Sequence, residues 1–430
     1  MKVVLEVLVA GLALSALISE VRAQAFAPAI NYSVGGGPYS VATADLNGDG
    51  SADLISTSFS AYEVSVLTNN GRGDFAASTT NAVGLNPHSV AAADFNGDGK
   101  PDLVTANFVA DTLSILTNTG SGGFVLSASP SVGILPFFVL TADVNGDHKV
   151  DLISVSSGSS SLTILTNNGS GVFSFASAPS VGNHPVSAAA ADLNGGGRLD
   201  LVTADYQSDI LSVLTNDGSG NFTLASAPIV GSEPDSVAVA DVNGDGKLDL
   251  ISANYSANTL SVLTNNGSGF TLSASPVVGH KPTSVTAADV NGDGKPDLIC
   301  ANSLDDTLSV LTNNGSGGFA LACLPKVGHG PFTVTAADVN RDGKLDLVCA
   351  NADGGTLSVL INVPVLTLNR VSNNVVVSWP ASWTNWVLQQ SSALTAANWP
   401  ASSGISNNGT LKSVTVPSPN GNLFFRLAYP

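Results

Sequence analysis

A nine-residue string of the form Asp-x-Asn-Gly-Asp-Gly-x-x-Asp, with three local departures, recurs seven times along this 430-residue chain. It starts at Asp45, Asp94, Asp143, Asp192, Asp241, Asp289 and Asp338, at intervals of 48 or 49 residues. A period of that length means repeated supersecondary units, each burying its apolar face against the next. A constant frame surrounds the string. Pro-x-Ser-Val-x-Ala-Ala-Asp precedes it, as in 87–94, and Asp-Leu-Ile-Ser-Ala-Asn follows, as in 249–254. Then come Thr-Leu-Ser-Val-Leu-Thr-Asn-Asn-Gly, as in 259–267, and a Phe-containing stretch ending in Val-Gly, as in 270–279.

Each unit reads as four short strands, for example 89–93, 102–106, 113–117 and 124–128. Alternating or β-branched runs are separated by turn residues, and Asn-Gly at 168–169, 266–267 and 314–315 suits tight hairpins. No helical period persists over three turns in the mature chain. Four strands per unit, seven times over, predicts an all-β, seven-bladed propeller over residues 26–363. The seventh unit stops after its third strand, 357–362, and the missing fourth strand stands at the other end of the chain: Phe26–Gly35 matches it. The N-terminal strand is therefore expected to complete the last blade and close the ring, whereas an open solenoid would need caps.

Composition agrees. Hydrophobic residues make up 43% of the chain, enough for a large core, and charged residues only 11%. Fifteen Lys and Arg against 33 Asp and Glu leave a net charge of −18, which excludes a nucleic-acid partner or an anionic membrane surface. Residues 1–25 read as a signal peptide: Lys2, an apolar run from Val3 to Ile18, and the cleavage site Ala23-Gln24-Ala25. The expectation is a secreted or cell-surface monomer with no membrane insertion.

Within each loop, positions 1, 3, 5 and 9 carry side-chain oxygens. The candidate metal ligands are Asp45, Asn47, Asp49, Asp53; Asp94, Asn96, Asp98, Asp102; Asp143, Asn145, Asp147, Asp151; Asp192, Asn194, Asp200; Asp241, Asn243, Asp245, Asp249; Asp289, Asn291, Asp293, Asp297; and Asp338, Asn340, Asp342, Asp346. Alternating hard oxygens in a tight loop suit Ca²⁺, with the position-7 carbonyl and waters completing the shell. Three carboxylates within nine residues repel one another without a cation. Seven Ca²⁺ would add fourteen positive charges and bring −18 to −4. The fourth loop has Gly196 in place of Asp at position 5 and should be the weakest site. The third has His148 where Gly stands at position 6, and the seventh has Arg341 at position 4, beside its metal.

The loop differs from an EF-hand or a dockerin loop, whose last carboxylate lies at position 12; here that position holds Ser, Thr or Cys. With strands on both sides, it resembles the FG-GAP/VCBS repeat of integrin α-subunit heads and some fungal lectins. That resemblance covers about residues 26–363. It implies calcium loops between strands one and two on the lower face of the ring.

Ligands would then bind the opposite face. There lie His88, His184, His280 and His329, with Phe59, Tyr62, Phe108, Phe137, Phe138, Tyr206, Tyr255 and Phe332, and the acids Asp111, Asp209, Asp305 and Asp306. Aromatic rings could serve as stacking platforms for a carbohydrate or a protein, or simply pack the blades. No nucleophile elbow is present, and the paired acids are better explained as calcium ligands than as a glycosidase dyad. The chain therefore reads as a binding or adhesion module rather than an enzyme. A lectin with sugar pockets between blades is the main alternative, and a polysaccharide lyase or hydrolase the next. Cys300 and Cys349 read as buried free thiols, and Cys323 could bond to either only if geometry allowed.

After residue 363 the composition shifts. All four Trp fall at 379–399. Runs 375–379, 386–390, 412–416 and 423–427 alternate as strands. Residues 364–430 are expected to form a separate small β domain that resembles a reduced fibronectin type III sandwich, with the Trp packing its core.

Overall fold

A computed structural model of the chain describes residues 7–9, 26–120, 122–364, 366–371, 374–381, 383, 386–392, 398–417 and 423–428. It divides into two compact units, Pro28–Leu360 and the remainder. Most of the expected leader lies outside the described residues; Val7–Val9 are placed as a strand antiparallel to Leu423–Phe425. No helix among the described residues is long and apolar enough to cross a membrane.

The larger unit is a β-propeller built from seven four-stranded antiparallel sheets. In the second blade the strands are Pro87–Ala93, Asp102–Asn107, Thr112–Asn118 and Phe124–Ala128, from the axis outward. The second strand of every blade is buried at all six positions, because both its faces meet neighbouring blades. The outer strand is mostly exposed. Successive side chains of one strand serve different interfaces, following the two-residue period of a strand. Ile55, Val64 and Val66 of the first blade pack with Val90, Leu103 and Leu116 of the second, while Val104, Leu113 and Ile115 of the second pack with Val139 and Leu152 of the third. Inner strands are rich in Ala, as in Ala91–Ala93, which suits the narrow space near the axis.

Polar side chains link each blade to the next. In the inner strand, Ser40, Ser89, Ser187, Ser236 and Ser284 accept a hydrogen bond from the Val N–H of the following blade, at 3.2–3.3 Å. At the end of strand three, Asn118, Asn167, Asn216, Asn265 and Asn313 each donate Nδ2 to a loop carbonyl of the preceding blade, at 2.8–2.9 Å. Asn69 makes the same bond to Val339 O at 2.8 Å, so the first blade is joined to the seventh.

The seventh sheet is completed as expected. Ile30–Ser33 pairs antiparallel with Thr356–Val359, outside Asp346–Asn351 and Pro331–Ala337. Deleting residues 28–35 should leave Thr356–Leu360 as a bare edge, and such edges recruit other chains. The expected outcome is aggregation and a lower melting temperature, read by size-exclusion chromatography and thermal unfolding. A deletion variant that stays monomeric and equally stable would contradict this closure.

The hairpins are looser than Asn-Gly suggests. Asn168-Gly169 and Asn314-Gly315 lie in five-residue loops closed by Asn168 N–H to Val172 O (3.1 Å) and Asn314 N–H to Gly318 O (2.9 Å), and Asn266-Gly267 lies in a four-residue loop. The reason lies one residue earlier. The strand-ending Asn, for example Asn167, spends its side chain on the neighbouring blade and on Gly169 N–H, which widens the turn.

The smaller unit contains two sheets. One orders Thr367–Val371, Asn374–Pro380, Leu411–Pro417 and Ser406–Asn407; the other pairs Val387–Ser391 with Leu423–Ala428. Trp379, Trp383, Trp386 and Trp399 are all buried, and Trp383 meets Trp386 edge-on at 6.0 Å. Core packing is thus their role in this unit. Cys300, Cys323 and Cys349 are free thiols, and burial pushes the Cys323 thiol up to about 11.

Candidate functional site

The Asp loops fold through their own side chains. In the first, Asp45 Oδ1 accepts Gly48 N–H (2.8 Å) and Asp49 N–H (3.1 Å), and Asp45 Oδ2 accepts Gly50 N–H (2.7 Å). Asn47 Oδ1 accepts Asp49 N–H (2.9 Å) and Asp49 Oδ1 accepts Ser51 N–H (2.7 Å). Gly48 and Gly50 take φ of 77° and 82°, which residues with a Cβ adopt only at a cost. Arg341 and His148 bear that cost in loops seven and three, at φ 61° and 64°.

Position 9 has a structural task beyond the one expected. Asp53 is completely buried; its Oδ2 accepts Leu46 N–H (3.1 Å) and its Oδ1 accepts Asn69 N–H (2.8 Å), tying the loop to the end of strand three. Asp102, Asp151 and Asp249 repeat this clamp. Burial, together with repulsion from the carboxylates at positions 5 and 1, holds Asp53, Asp102, Asp151 and Asp249 above the ordinary carboxylate range. In loop six the same burial pushes Asp297 up to about 6.

Outside loop seven, where Asp342 is half-buried and accepts Asn340 Nδ2 (3.2 Å), position 5 points outward and meets the position-7 lysine in loops two, three, five and six: Lys100 to Asp98 at 3.1 Å, Lys149 to Asp147 at 3.5 Å, Lys247 to Asp245 at 3.3 Å and Lys295 to Asp293 at 3.9 Å. In loop four, where Gly196 removes that carboxylate, Arg198 turns away and donates to Asp217 O (2.6 Å). Arg341 does not sit over its own loop. It crosses to the first blade, where Nη2 lies 3.3 Å from Asp49 Oδ1 and also bonds the Asp49 carbonyl. Its long side chain reaches the neighbouring loop because blades one and seven adjoin.

Hard oxygen donors and mutual carboxylate repulsion fit a divalent cation such as calcium. Among the described residues no three His, Cys, Asp or Glu side chains are arranged to hold a metal ion, since each loop's oxygens are turned onto backbone N–H groups.

The opposite end of the inner strands is organised differently. The residue before the strand-opening Pro is left-handed in all seven blades: Gly37, Asn86, Leu135, His184, Glu233, Lys281 and Gly330, with φ from 53° to 68°. Immediately after that Pro the pairing with strand two slips by one residue at His88, Phe137, Val186, Asp235, Thr283 and Phe332. Such a bulge re-aims its side chain. These six, with Tyr39 at the equivalent place in the first blade, all line one cavity of about 480 Å³ on the propeller axis.

Four of the seven form an aromatic arc from blade seven to blade three. Tyr39 lies 4.7 Å from Phe332 and 4.6 Å from His88, and His88 lies 3.7 Å from Phe137. Burial among these rings pushes His88 down to about 3, so it is neutral. Asp235, on blade five, completes the ring on the far side. It is 9% exposed, and burial, then the nearby Glu233, push it up to about 8. Glu233 accepts a hydrogen bond from Tyr206 Oη at 2.9 Å, and Lys281 lies 5.2 Å over the Tyr255 ring.

Phe59 and Phe108 back the arc, 4.9 Å from Tyr39 and 5.9 Å from His88, and the remaining expected residues of this face scatter. His280 and His329 pair with Asp305 and Asp306, each at 2.9 Å, on the surface. Asp111, Asp209 and Asp306 accept backbone N–H groups of the next connection. Phe138 packs between blades and Tyr62 is exposed. The histidines do not converge. Tyr39, Asp235, Glu233 and Lys281 were not expected; the signal that finds Tyr39 and Asp235 is the variable residue after the constant Pro, and Glu233 and Lys281 stand just before that Pro.

A profile of the FG-GAP-like repeat matches residues 45–105, 95–154, 143–203, 192–252, 241–300 and 289–349. The chain belongs to the FG-GAP-like repeat family. No curated protein matches the sequence. The repeats are similar in fold to the BBS1N domain solved in complex with ARL6DN (TM-score 0.57, 13% identity, 79% of this chain and 97% of that one). They are also similar to a Lactobacillus plantarum protein (TM-score 0.56, 16% identity, 69% and 86%). A third similar fold is a catalytically inactive virginiamycin B lyase from Staphylococcus aureus with quinupristin (TM-score 0.54, 16% identity, 78% and 99%). At these identities the likeness is one of fold alone.

Proposed function

We propose that this FG-GAP-like propeller is an exported, non-catalytic binding or adhesion module. It takes a carbohydrate or protein ligand at the axial mouth opposite the Asp loops and uses calcium in those loops to stabilise the ring. The observation that carries this reading is the ring of seven re-aimed side chains. The strands and Asp loops are nearly constant, whereas the connections at this end vary, and their inward-turned position holds Tyr, His, Phe, Val, Asp, Thr and Phe. Packing alone would favour one repeated residue there. Strained backbone beside it points the same way, because such strain gathers at ligand sites. The leader at residues 1–25 supports export, and the carboxylate repulsion within each loop supports calcium.

A glycan array run with and without a chelator tests this reading. The expected result is a defined set of bound glycans, weakened by chelation and lost on Tyr39→Ala or Phe332→Ala. Glycan binding that survives both substitutions would move the site elsewhere.

A second reading, a polysaccharide lyase or hydrolase on this scaffold, draws on the raised Asp235 and the Lys281–Tyr255 pair. Against it, Lys281 is held over a ring and the Tyr206 hydroxyl is engaged by Glu233. Release of reducing ends from a polysaccharide panel would favour the enzyme.

A further inference from the structure

The axial mouth has two chemically distinct sides. One is the aromatic arc of Phe332, Tyr39, His88 and Phe137, and the other carries Asp235. With seven blades in the ring, blade five lies across the axis from blades one and two, so Asp235 faces the arc. The residue is nine-tenths buried and lines the cavity, and no hydrogen bond within the protein engages its carboxyl. Buried carboxyls normally have one. The Asp235 carboxyl is therefore open to a donor from the cavity, whether water or a ligand.

We propose, building on the axial mouth as the ligand site, that this ring holds the ammonium group of an alkylamine. The cation would sit between the aromatic faces and the Asp235 carboxylate.

Three features select a cation over a neutral or anionic ligand. Aromatic faces attract positive charge through their ring quadrupole. None of the seven ring residues is Lys or Arg, and Lys281, just before the Pro of blade six, is held over the Tyr255 ring. His88, the one ring residue that could become positive, is kept neutral by burial. Around Asp235 stand Glu233 and Tyr206 on its own side, with His88 and Tyr39 across the axis. Of these only Glu233 is an anion; burial raises the pKa of the two phenols, Tyr39 and Tyr206, and keeps them neutral. The chain's net charge, −18 alone and still −4 with seven Ca²⁺ bound, favours cations over anions.

Lysine side chains and free amines both present this group, and the test separates them. The probes are N-acetyl-lysine amide and n-butylammonium, against their neutral counterparts N-acetyl-norleucine amide and n-butanol. Binding is read by calorimetry and ligand-observed NMR at pH 8.5 in saturating calcium, on the full chain. Each charged probe should bind at least about tenfold more tightly than its counterpart, a difference of about 1.4 kcal/mol. Asp235→Asn should remove that preference. Tyr39→Leu, which keeps apolar bulk and loses the ring face, should weaken it. Tighter binding of the lysine probe names a protein side chain as the source, and tighter binding of butylammonium names a free amine. Equal binding of charged and neutral probes, a preference unaltered in Asp235→Asn, or no binding at millimolar probe would each overturn the proposal. If glycan-array binding persists while these probes fail, the module reading stands and only the cation is wrong.

Discussion

At pH 7 the Asp235→Asn variant should melt several degrees higher than the wild-type chain, and the gain should vanish near pH 4. Asp235 is buried, and burial first, then repulsion by Glu233, push its pKa up to about 8 from an ordinary 3.8. Between those values the unfolded chain has released the proton and the folded chain has kept it. Folding then requires proton uptake, so stability falls as pH rises from 3.8 towards 8. Each pH unit is worth about 1.4 kcal/mol, so the penalty at pH 7 is on the order of 4 kcal/mol at most, and less where water in the cavity screens the group. Asn is neutral in both states and carries no such term. Thermal unfolding from pH 4 to pH 8 would show the two curves diverging as pH rises. A variant less stable than wild type across that range would mean that Asp235 has a stabilising partner. A group that destabilises its own fold at the axial mouth is the trade expected of a binding site rather than of a packing position.

The propeller was legible because its repeat is legible. Strand alternation, the interval between Asp loops and the strand displaced to 26–35 all follow from chain-local pattern. The Asn that ends each third strand illustrates what was not. Its letter reads as a turn former, yet Asn118 donates to Leu46 O seventy-two residues earlier, a contact visible only once blades are placed side by side. Position 9 behaves likewise in loops one, two, three and five. A carboxylate at metal-ligand spacing is also the buried acceptor for two backbone N–H groups, and the spacing does not distinguish those tasks. At the axial mouth, residue type alone found Phe59 and Phe108, which back Tyr39 and His88, and Tyr206 and Tyr255, which meet Glu233 and Lys281. Asp235 was missed because its distinction is positional: a bulge after Pro234 turns it into the channel.

Chelation should lower the melting temperature substantially, and the fourth loop should be the weakest calcium site. A ligand that binds only the folded state stabilises it by about 2.7 kcal/mol per site at a hundredfold excess over its dissociation constant. Several such sites acting on one ring make the effect of EDTA large. Six loops keep three carboxylates, and loop four keeps Asp192 and Asp200 with Asn194. Calcium affinity follows ligand charge and site rigidity, so losing one anion weakens the site. It does not unfold the loop. Gly196 N–H still bonds Asp192 Oδ1 at 2.9 Å and Asn194 Oδ1 at 2.7 Å, the pattern made by Asp at that place elsewhere. Gly196 also lacks the left-handed φ of its neighbours Gly195 and Gly197, so Gly196→Asp requires only that the Asn194 side chain shift. That substitution should add one site, and Asp245→Gly should remove one from loop five. Loop one carries a different handicap. Arg341 places its guanidinium 3.3 Å from Asp49 Oδ1, where it competes with a metal for the same oxygen. Arg341→Gly should therefore tighten loop one and relieve backbone strain at the same position. Calcium counting by calorimetry and metal analysis reads all three variants. An unchanged melting curve in EDTA would refute calcium in these loops. Equal affinity at all seven would show that position 5 does not control them.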